Sequence, residues 1–596
     1  ALVDRLLAKK QYGEHLARYW LDLVRFADTN GMHKDFYRNF IAYREWVIRA
    51  YNENLGYDDF VRFQLAGDLF PKPTGDQLVA SGFNRLHLII DRGTALPEES
   101  FFKNVTDRVT AVGTTFMGMT VHCATCHDHK YDPLTQKDFY SLFAFFNNID
   151  AAPETGGGPK NGLQPPIAAV ATPEQQQAKD DLNEQLARVE TELGLAKKGA
   201  QAEKDTEKKK PLAELERKLE AKKKELEKQR GALQGSMPKA MVMKERSEVR
   251  KTFLRKRGQY DDPGEEVQRN TPAFFPAMKK KGDVATRRDL AEWFIDRRNP
   301  LTARVAVNRF WQQFFGVGLV KTSEDLGTQG ELPSHPELLD HLTVSFIESG
   351  WNIKALVRSI VLSKTYRQSS GATPAEFTRD PENRLLARGS RFRLDAEMIR
   401  DQILATSGML VNTMYGKSVK PPQPPGLWKA VTMIGERYRA DGGEAIYRRS
   451  VYTYWKRGMP PPQMTILNAP IRDACVARRE RTNTPSQALL LLNEGEYIKA
   501  ARSLALKTLA LDKLDAAGRV EHAYETVTSR LPDESERTIL LKLVADLQKS
   551  YSENPALAEE ICRGVTLEGA DEKPRLAAWT VLVNAIYNLD ITKTRE

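Results

Sequence analysis

A chain of 596 residues is too long for one compact core and predicts two to four domains. Its 41% hydrophobic and 9% aromatic content is that of an ordinary globular protein, and the lack of any run of about 18 apolar residues excludes a helical membrane span. The net charge of +10 does not point to nucleic acid: residues 197–230 hold 13 basic and 8 acidic side chains, so half the surplus lies in one solvated helical stretch, with no nucleic-acid module beside it.

Residues 1–150 predict a helical first domain, with apolar residues at helical spacing in 17–24, 43–51 and 105–119. The opening Ala1-Leu2-Val3-Asp4-Arg5-Leu6-Leu7 reads as the inside of an amphipathic helix. The chain is therefore expected to begin within a domain, downstream of any export signal. Phe139-Tyr140-Ser141-Leu142-Phe143-Ala144-Phe145-Phe146 is an aromatic run suited to packing on a flat apolar group.

Residues 151–249 open on a linker, Gly156-Gly157-Gly158-Pro159 and Pro165-Pro166, and continue as a charged insert. Leu182, Leu186, Val189 and Leu193, then Leu212, Leu215, Leu219, Leu226 and Leu233, mark a coiled-coil seam that could also serve an oligomer. Because proline breaks a helical ladder, Pro211 predicts an antiparallel hairpin whose lysine-rich turn precedes it. Residues 250–285 predict a β-rich connector turning at Asp262-Pro263-Gly264. A second helical domain, 286–510, is expected to start at a cap on Thr286, and a C-terminal helical region, 511–596, follows a break near Leu511. The fold class is mainly α and multidomain, with short β segments.

Four cysteines cannot frame so large a chain with disulfides. Cys475 and Cys562 read as separate buried thiols, or as a pair in an oxidising compartment. Cys123 and Cys126 stand in His122-Cys123-Ala124-Thr125-Cys126-His127, and Cys-x-x-Cys-His is the attachment pattern of c-type haem. Two thiols three positions apart each add to a vinyl group, and the next histidine ligates the iron. Zinc would need a second ligand pair, and a thioredoxin-like couple would need a βαβ setting. Both remain as alternatives, with incidental placement a third.

The ligand opposite His127 would separate an electron carrier from an open catalytic iron. His33, in the polar segment 28–35, and His87, after Asn84-Arg85-Leu86, are the candidates. Met117 and Met119 fit a core, and His129 lies too close behind His127 to reach the other face.

The stretches Tyr12-Gly13-Glu14, Trp20-Leu21-Asp22, Arg25-Phe26-Ala27-Asp28-Thr29-Asn30-Gly31, Gln64-Leu65-Ala66-Gly67-Asp68 and the run from Cys123 to Pro133 resemble the planctomycete cytochrome-c-associated proteins. So do Asn299-Pro300-Leu301-Thr302, Pro333-Ser334-His335-Pro336, Ser363-Lys364-Thr365-Tyr366, Tyr447-Arg448-Arg449-Ser450 and Arg481-Thr482-Asn483-Thr484-Pro485. The resemblance covers nearly all the chain outside the coiled-coil insert. It implies large secreted proteins built from two tandem domains of unknown function, often preceded by a separate cytochrome c domain. Tyr19 stands where the family often has histidine, and Asn468-Ala469-Pro470 where an aspartate is typical. The resemblance supports one covalent haem c, a periplasmic or otherwise extracytoplasmic location, and an electron-transfer partner protein or cytochrome domain.

The expected activity is a haem-dependent oxidoreductase on a small or carbohydrate substrate, the carbohydrate resting on the family's glycan-rich setting. A pure electron-transfer subunit and a non-redox carbohydrate-active scaffold with structural haem are the alternatives. In the second domain Arg304, Asn308, Arg309, Glu331, His335, Glu337 and Asp340 are candidate polar site residues. The simpler account of His335 and Glu337 is a helix start capped by Ser334. Arg448, Arg449 and Trp455 suit sugar or anion binding, or interdomain packing. Arg304, Arg309, His335 and Arg448 are the expected substrate contacts.

Overall fold

The computed structural model describes residues 1–90, 95–154, 161–202, 205–431, 435–566 and 571–595. It is 56% helix and 5% strand, and its strands form three antiparallel pairs. The predicted Gly156-Gly157-Gly158-Pro159 linker lies outside the described residues. Among the described residues no helix is long and apolar enough to cross a membrane.

Two cores organise the body. The first joins the helices Gln11–Leu23, Ile41–Asn52, Tyr57–Ala66, Pro97–Val112 and Gln136–Phe146 to Arg287–Phe294, Thr302–Phe315, Pro336–Glu348 and Ile353–Leu362, so residues from both ends of the hairpin insert share one interior. Trp20, Trp46, Tyr57, Phe60 and Phe116 stack edge and face at its centre, with Trp46 and Phe60 rings 5.0 Å apart. The second core gathers Ala396–Ser407, Gly495–Leu509, Ala516–Thr528, Glu534–Glu553 and Glu572–Tyr587. It runs on both sides of residue 511.

Local chemistry sets the helix starts. Thr135, Thr286 and Thr484 each accept from the backbone N–H three residues on, while Asp138, Asp289 and Gln487 reach back. The helix Pro336–Glu348 differs from expectation. Its cap position is His335, no side chain caps it, and the Ser334 hydroxyl meets His335 Nδ1 at 3.1 Å instead. Pro336 takes the first helical position and so places residue 335 rather than 334 at the helix boundary.

The insert is an antiparallel hairpin, Pro173–Ala202 and Thr206–Ser236. Leu186, Val189, Leu193, Ala196, Leu219 and Leu226 form its private core, and Lys197–Glu220 and Lys223–Glu190 pair across it. Two expectations need correction. Pro211 and the lysines before it lie inside the second helix: as its sixth residue Pro211 withholds one rung of the ladder, a cost that packing along the hairpin outweighs. Leu215 leaves the seam and is 46% exposed, although its three- and four-residue steps to Leu212 and Leu219 fit a heptad. The strands Ile167–Ala169 and Lys239–Met241 pair at the hairpin's base.

The connector strands Thr252–Arg255 and Pro263–Val267 pair as expected. Their turn, however, is a 3-10 segment at Lys256–Gly258, and Pro263 opens the second strand. An edge strand tolerates proline at its first residue, where no ladder bond is asked of it.

Candidate functional site

The Cys-x-x-Cys-His segment forms the 3-10 turn Val121–Thr125 and the two residues after it. At three residues per turn, Cys123 and Cys126 share one face, and both thiols are exposed and free. The turn is pinned from below: Gln136 Nε2 and the Tyr140 hydroxyl donate to the Thr125 carbonyl at 2.9 and 3.0 Å. Gln136 also donates to the Arg255 carbonyl at 2.9 Å, tying the motif to the connector hairpin. Gly258, at φ +71°, lies against Cys126, and a Cβ there would stand 2.7 Å from Sγ.

His127 is exposed, and its Nδ1 sits 2.6 Å from the Asp128 carbonyl. A carbonyl only accepts, so Nδ1 carries the proton and Nε2 keeps its lone pair for a metal. His129 is committed elsewhere: Nδ1 accepts from Asp132 N at 2.9 Å and Nε2 lies 3.2 Å from the Thr120 hydroxyl. Asp132 in turn accepts from Thr328 N and Oγ1 at 2.8 and 2.7 Å. The stretch after His127 is thus a dock onto the second domain.

Two clefts flank the motif. One, about 360 Å³, lies between Thr106, Asp107 and Thr110 on one side and Cys475 on the other, with His122 and Thr125 at its edge. The other, about 620 Å³, runs between Phe101, Phe102 and Phe143 and the connector hairpin. Phe143 belongs to the aromatic run that the sequence marks for a flat group.

His87 is buried on the other side of the helix Pro97–Val112 from the first cleft. That helix turns positions 103, 106, 107 and 110 outward, whereas Arg108, whose Nη2 is 3.4 Å from His87 Nε2, faces inward. Burial and the guanidinium groups of Arg108, Arg38, Arg85 and Arg25 hold the His87 imidazole neutral, far below its ordinary range. His33 lies in a bend with φ 54°, beside the bridges Thr29–Tyr37 and Gly31–Ile89. Neither histidine lines either cleft. Met117 and Met119 are core residues.

The second-domain candidates do not converge. Arg304 pairs with Asp340 at 2.7 Å near the surface, and His335 sits at its helix start. Arg309 clamps the domains together, donating to the carbonyls of Thr115, Thr114 and Ser323 at 2.5, 2.6 and 3.1 Å. Arg448 spends its donors on the carbonyls of Thr413, Lys417 and Tyr415 and stacks 4.1 Å over Tyr452.

Its neighbour Arg449 is the one that faces a cleft, of about 300 Å³, where its Nε lies 3.2 Å from Glu14 and its Nη1 3.9 Å from Asp401. Burial pushes both carboxyls up in pKa, whereas burial and Arg18 push His15 in the same cleft down to about 3. Sequence reading assigned no site role to Glu14, His15 or Asp401. The available signal was the polar stripe Gln11, Glu14, His15, Arg18 at helical spacing, which reads as a solvent face until its partner helix is known.

Cys475 and Cys562 are free and apart. Cys475 accepts from Arg25 Nη1 at 3.2 Å, and Cys562 is buried in the second core.

A mainly helical chain with two shared cores, a thiol-pair turn and a docked His-Asp tail defines a tandem-domain architecture. Residues 1–151 match PSCyt2, a protein of unknown function (DUF1549), and residues 286–544 match PSD1, a protein of unknown function (DUF1553). The chain belongs to the family defined by this planctomycete cytochrome-type tandem pair. No curated protein and no solved structure matches it.

Proposed function

We propose that Cys123 and Cys126 tether, and His127 ligates, a c-type haem, and that the protein is an extracytoplasmic haem protein exchanging electrons with a partner cytochrome. One observation carries this reading: two free thiols share the exposed face of one turn, beside an imidazole whose Nδ1 proton is held by a carbonyl and whose Nε2 is left for a metal. Gly258 supports it by leaving room at Cys126 that any side chain would fill. The competing zinc account is weaker, because no group of three His, Cys, Asp or Glu able to hold a metal occurs among the described residues.

When bound, the group supplies one-electron redox chemistry. The chain's residues then have plain tasks. Gln136 and Tyr140 fix the turn, Asp128 orients the imidazole, and Asp132 fastens the segment to Thr328. Oxidation of a small or carbohydrate substrate is the activity proposed on this basis, with an electron-transfer subunit as the second reading.

Co-expression with a haem-attachment system tests the proposal. A pyridine haemochrome spectrum of the c type, with one haem per chain by mass, is the expected result, and Cys123→Ser with Cys126→Ser should abolish it. A wild-type chain that emerges colourless, or carries stoichiometric zinc instead, overturns it.

A further inference from the structure

The connector hairpin does more than link two domains. Its first strand and the helices Pro97–Val112 and Gln136–Phe146 enclose the larger of the two flanking clefts, about 620 Å³, within the range of cofactor sites. Its walls carry five aromatic rings, Phe101, Phe102, Phe143, Phe253 and Tyr260. Phe102 and Phe143 pack on Tyr140 with ring centres 6.5 and 5.8 Å away, and the Tyr140 hydroxyl holds the Thr125 carbonyl inside the Cys-x-x-Cys turn. The cleft and the thiols are therefore parts of one packed unit, joined again by Gln136 and by the Gly258–Cys126 contact.

The same cleft holds two cations without carboxylate partners. Arg250 and Arg255 are half-buried, and among the described residues neither guanidinium has a carboxylate within ion-pair distance, in contrast to the buried Arg287, Arg400 and Arg472. Arg250 lies over Phe101, 4.3 Å from the ring centre. Glu98 and Asp261 share the lining but reach neither group. A half-buried guanidinium is costly to leave uncompensated, and its planar fork matches a carboxylate.

We infer that this cleft binds a planar aromatic macrocycle bearing carboxylates, its rings against Phe101, Phe102 and Phe143 and its carboxylates on Arg250 and Arg255. It rests on the proposed haem attachment; Cys123, Cys126 and His127 stand outside the cleft's lining, so the cleft is assigned to the far, acidic edge of the ring. The alternation of flat apolar wall and unpaired fork favours this over a neutral aromatic, which leaves both cations uncompensated. It also favours it over an inorganic anion, which leaves the rings uncovered.

The test separates this inference from the attachment itself by using a probe that needs no thioether and no iron. Protoporphyrin IX and its dimethyl ester, which lacks the acids, are titrated into the full chain as Cys123→Ser, Cys126→Ser. The diacid should bind at least about tenfold more tightly than the ester, as one charge-assisted pair warrants. Arg250→Met with Arg255→Met should erase that preference, while Arg304→Ala leaves it. Because both arginines are half-buried, thermal unfolding of the double variant checks that the fold survives, and Phe101→Trp, which narrows the cleft, should weaken both probes. Equal binding of acid and ester, a preference retained in the arginine variant, or no porphyrin binding overturns the inference. A missing haemochrome with the diacid preference intact overturns only the attachment. In the haem-loaded wild type, Arg250→Met should also move the midpoint potential negative, since a lost nearby cation favours the oxidised form.

Discussion

The fully buried guanidinium of Arg287 forks onto both carboxylate oxygens of Asp68, at 2.9 and 2.6 Å, and so rivets the start of the second domain to the first. The same side chain reaches the Leu65 carbonyl at 2.7 Å and Glu245 at 3.0 Å. Breaking one partner of a buried pair strands a charge, which costs about 3 kcal/mol. Asp68→Asn should lower the unfolding free energy by that amount in urea melts. Arg304→Ala, which removes a 2.7 Å pair at the surface, should change it by no more than about 0.5 kcal/mol. Equal effects from the two would contradict the assigned role of burial.

Gly258 should control access to Cys126. Its φ of +71° disfavours any side chain, and a Cβ would meet Sγ at 2.7 Å. Gly258→Ala is expected to slow alkylation of Cys126 in the haem-free chain and to reduce haem attached per chain. Gly264→Ala, whose nearest contact would be an ordinary 3.4 Å, is the control. Indistinguishable labelling rates in the two variants would remove the steric argument.

Acid should weaken the protein through His15. Burial and Arg18 hold its folded pKa down to about 3, whereas the unfolded chain takes up that proton near 6.5. Between those values the unfolded state binds more protons, so stability falls as pH falls. Glu14 and Asp401, with raised pKa values, act in the opposite sense, since they gain protons more readily when folded. The comparison to make is therefore between wild type and His15→Gln. The urea midpoint of the variant should drop less from pH 7 to 5, and an unchanged slope would clear His15 of this role.

Arg448 is expected to matter for folding rather than for ligand binding. Its guanidinium satisfies the carbonyls of Thr413, Lys417 and Tyr415, so Arg448→Met takes the donor from three part-buried acceptors. A loss of about 1.5 kcal/mol is expected from removing these bonds. Chemical denaturation measures it, and a loss below about 0.5 kcal/mol would show that the carbonyls find water instead.

What the sequence made legible was local. The cap at Thr286, the hairpin seam at Leu186, Val189, Leu193, Leu219 and Leu226, and the thiol-pair turn all follow from local spacing in the sequence. Pro211 misled because packing between the two arms of the hairpin outweighs the cost of one proline, which composition does not reveal. Glu14 and Asp401 stayed hidden for another reason: the polar stripe on Gln11–Leu23 acquires a partner from a helix nearly four hundred residues away. Arg448 and Arg449 look alike in sequence, and only the path of the 3-10 segments there decides which one turns to the backbone and which to the cleft. Arg250 stands out only when the carboxylates around it can be surveyed in space.

The insert hairpin has a mechanical consequence. Helices of 30 and 31 residues at about 1.5 Å per residue make an arm about 45 Å long. Its six-residue interior is separate from both cores, and a short ribbon joins it to the body. Such an arm melts on its own terms, since its loss exposes nothing in either core. Amide exchange along it should run well ahead of the body's.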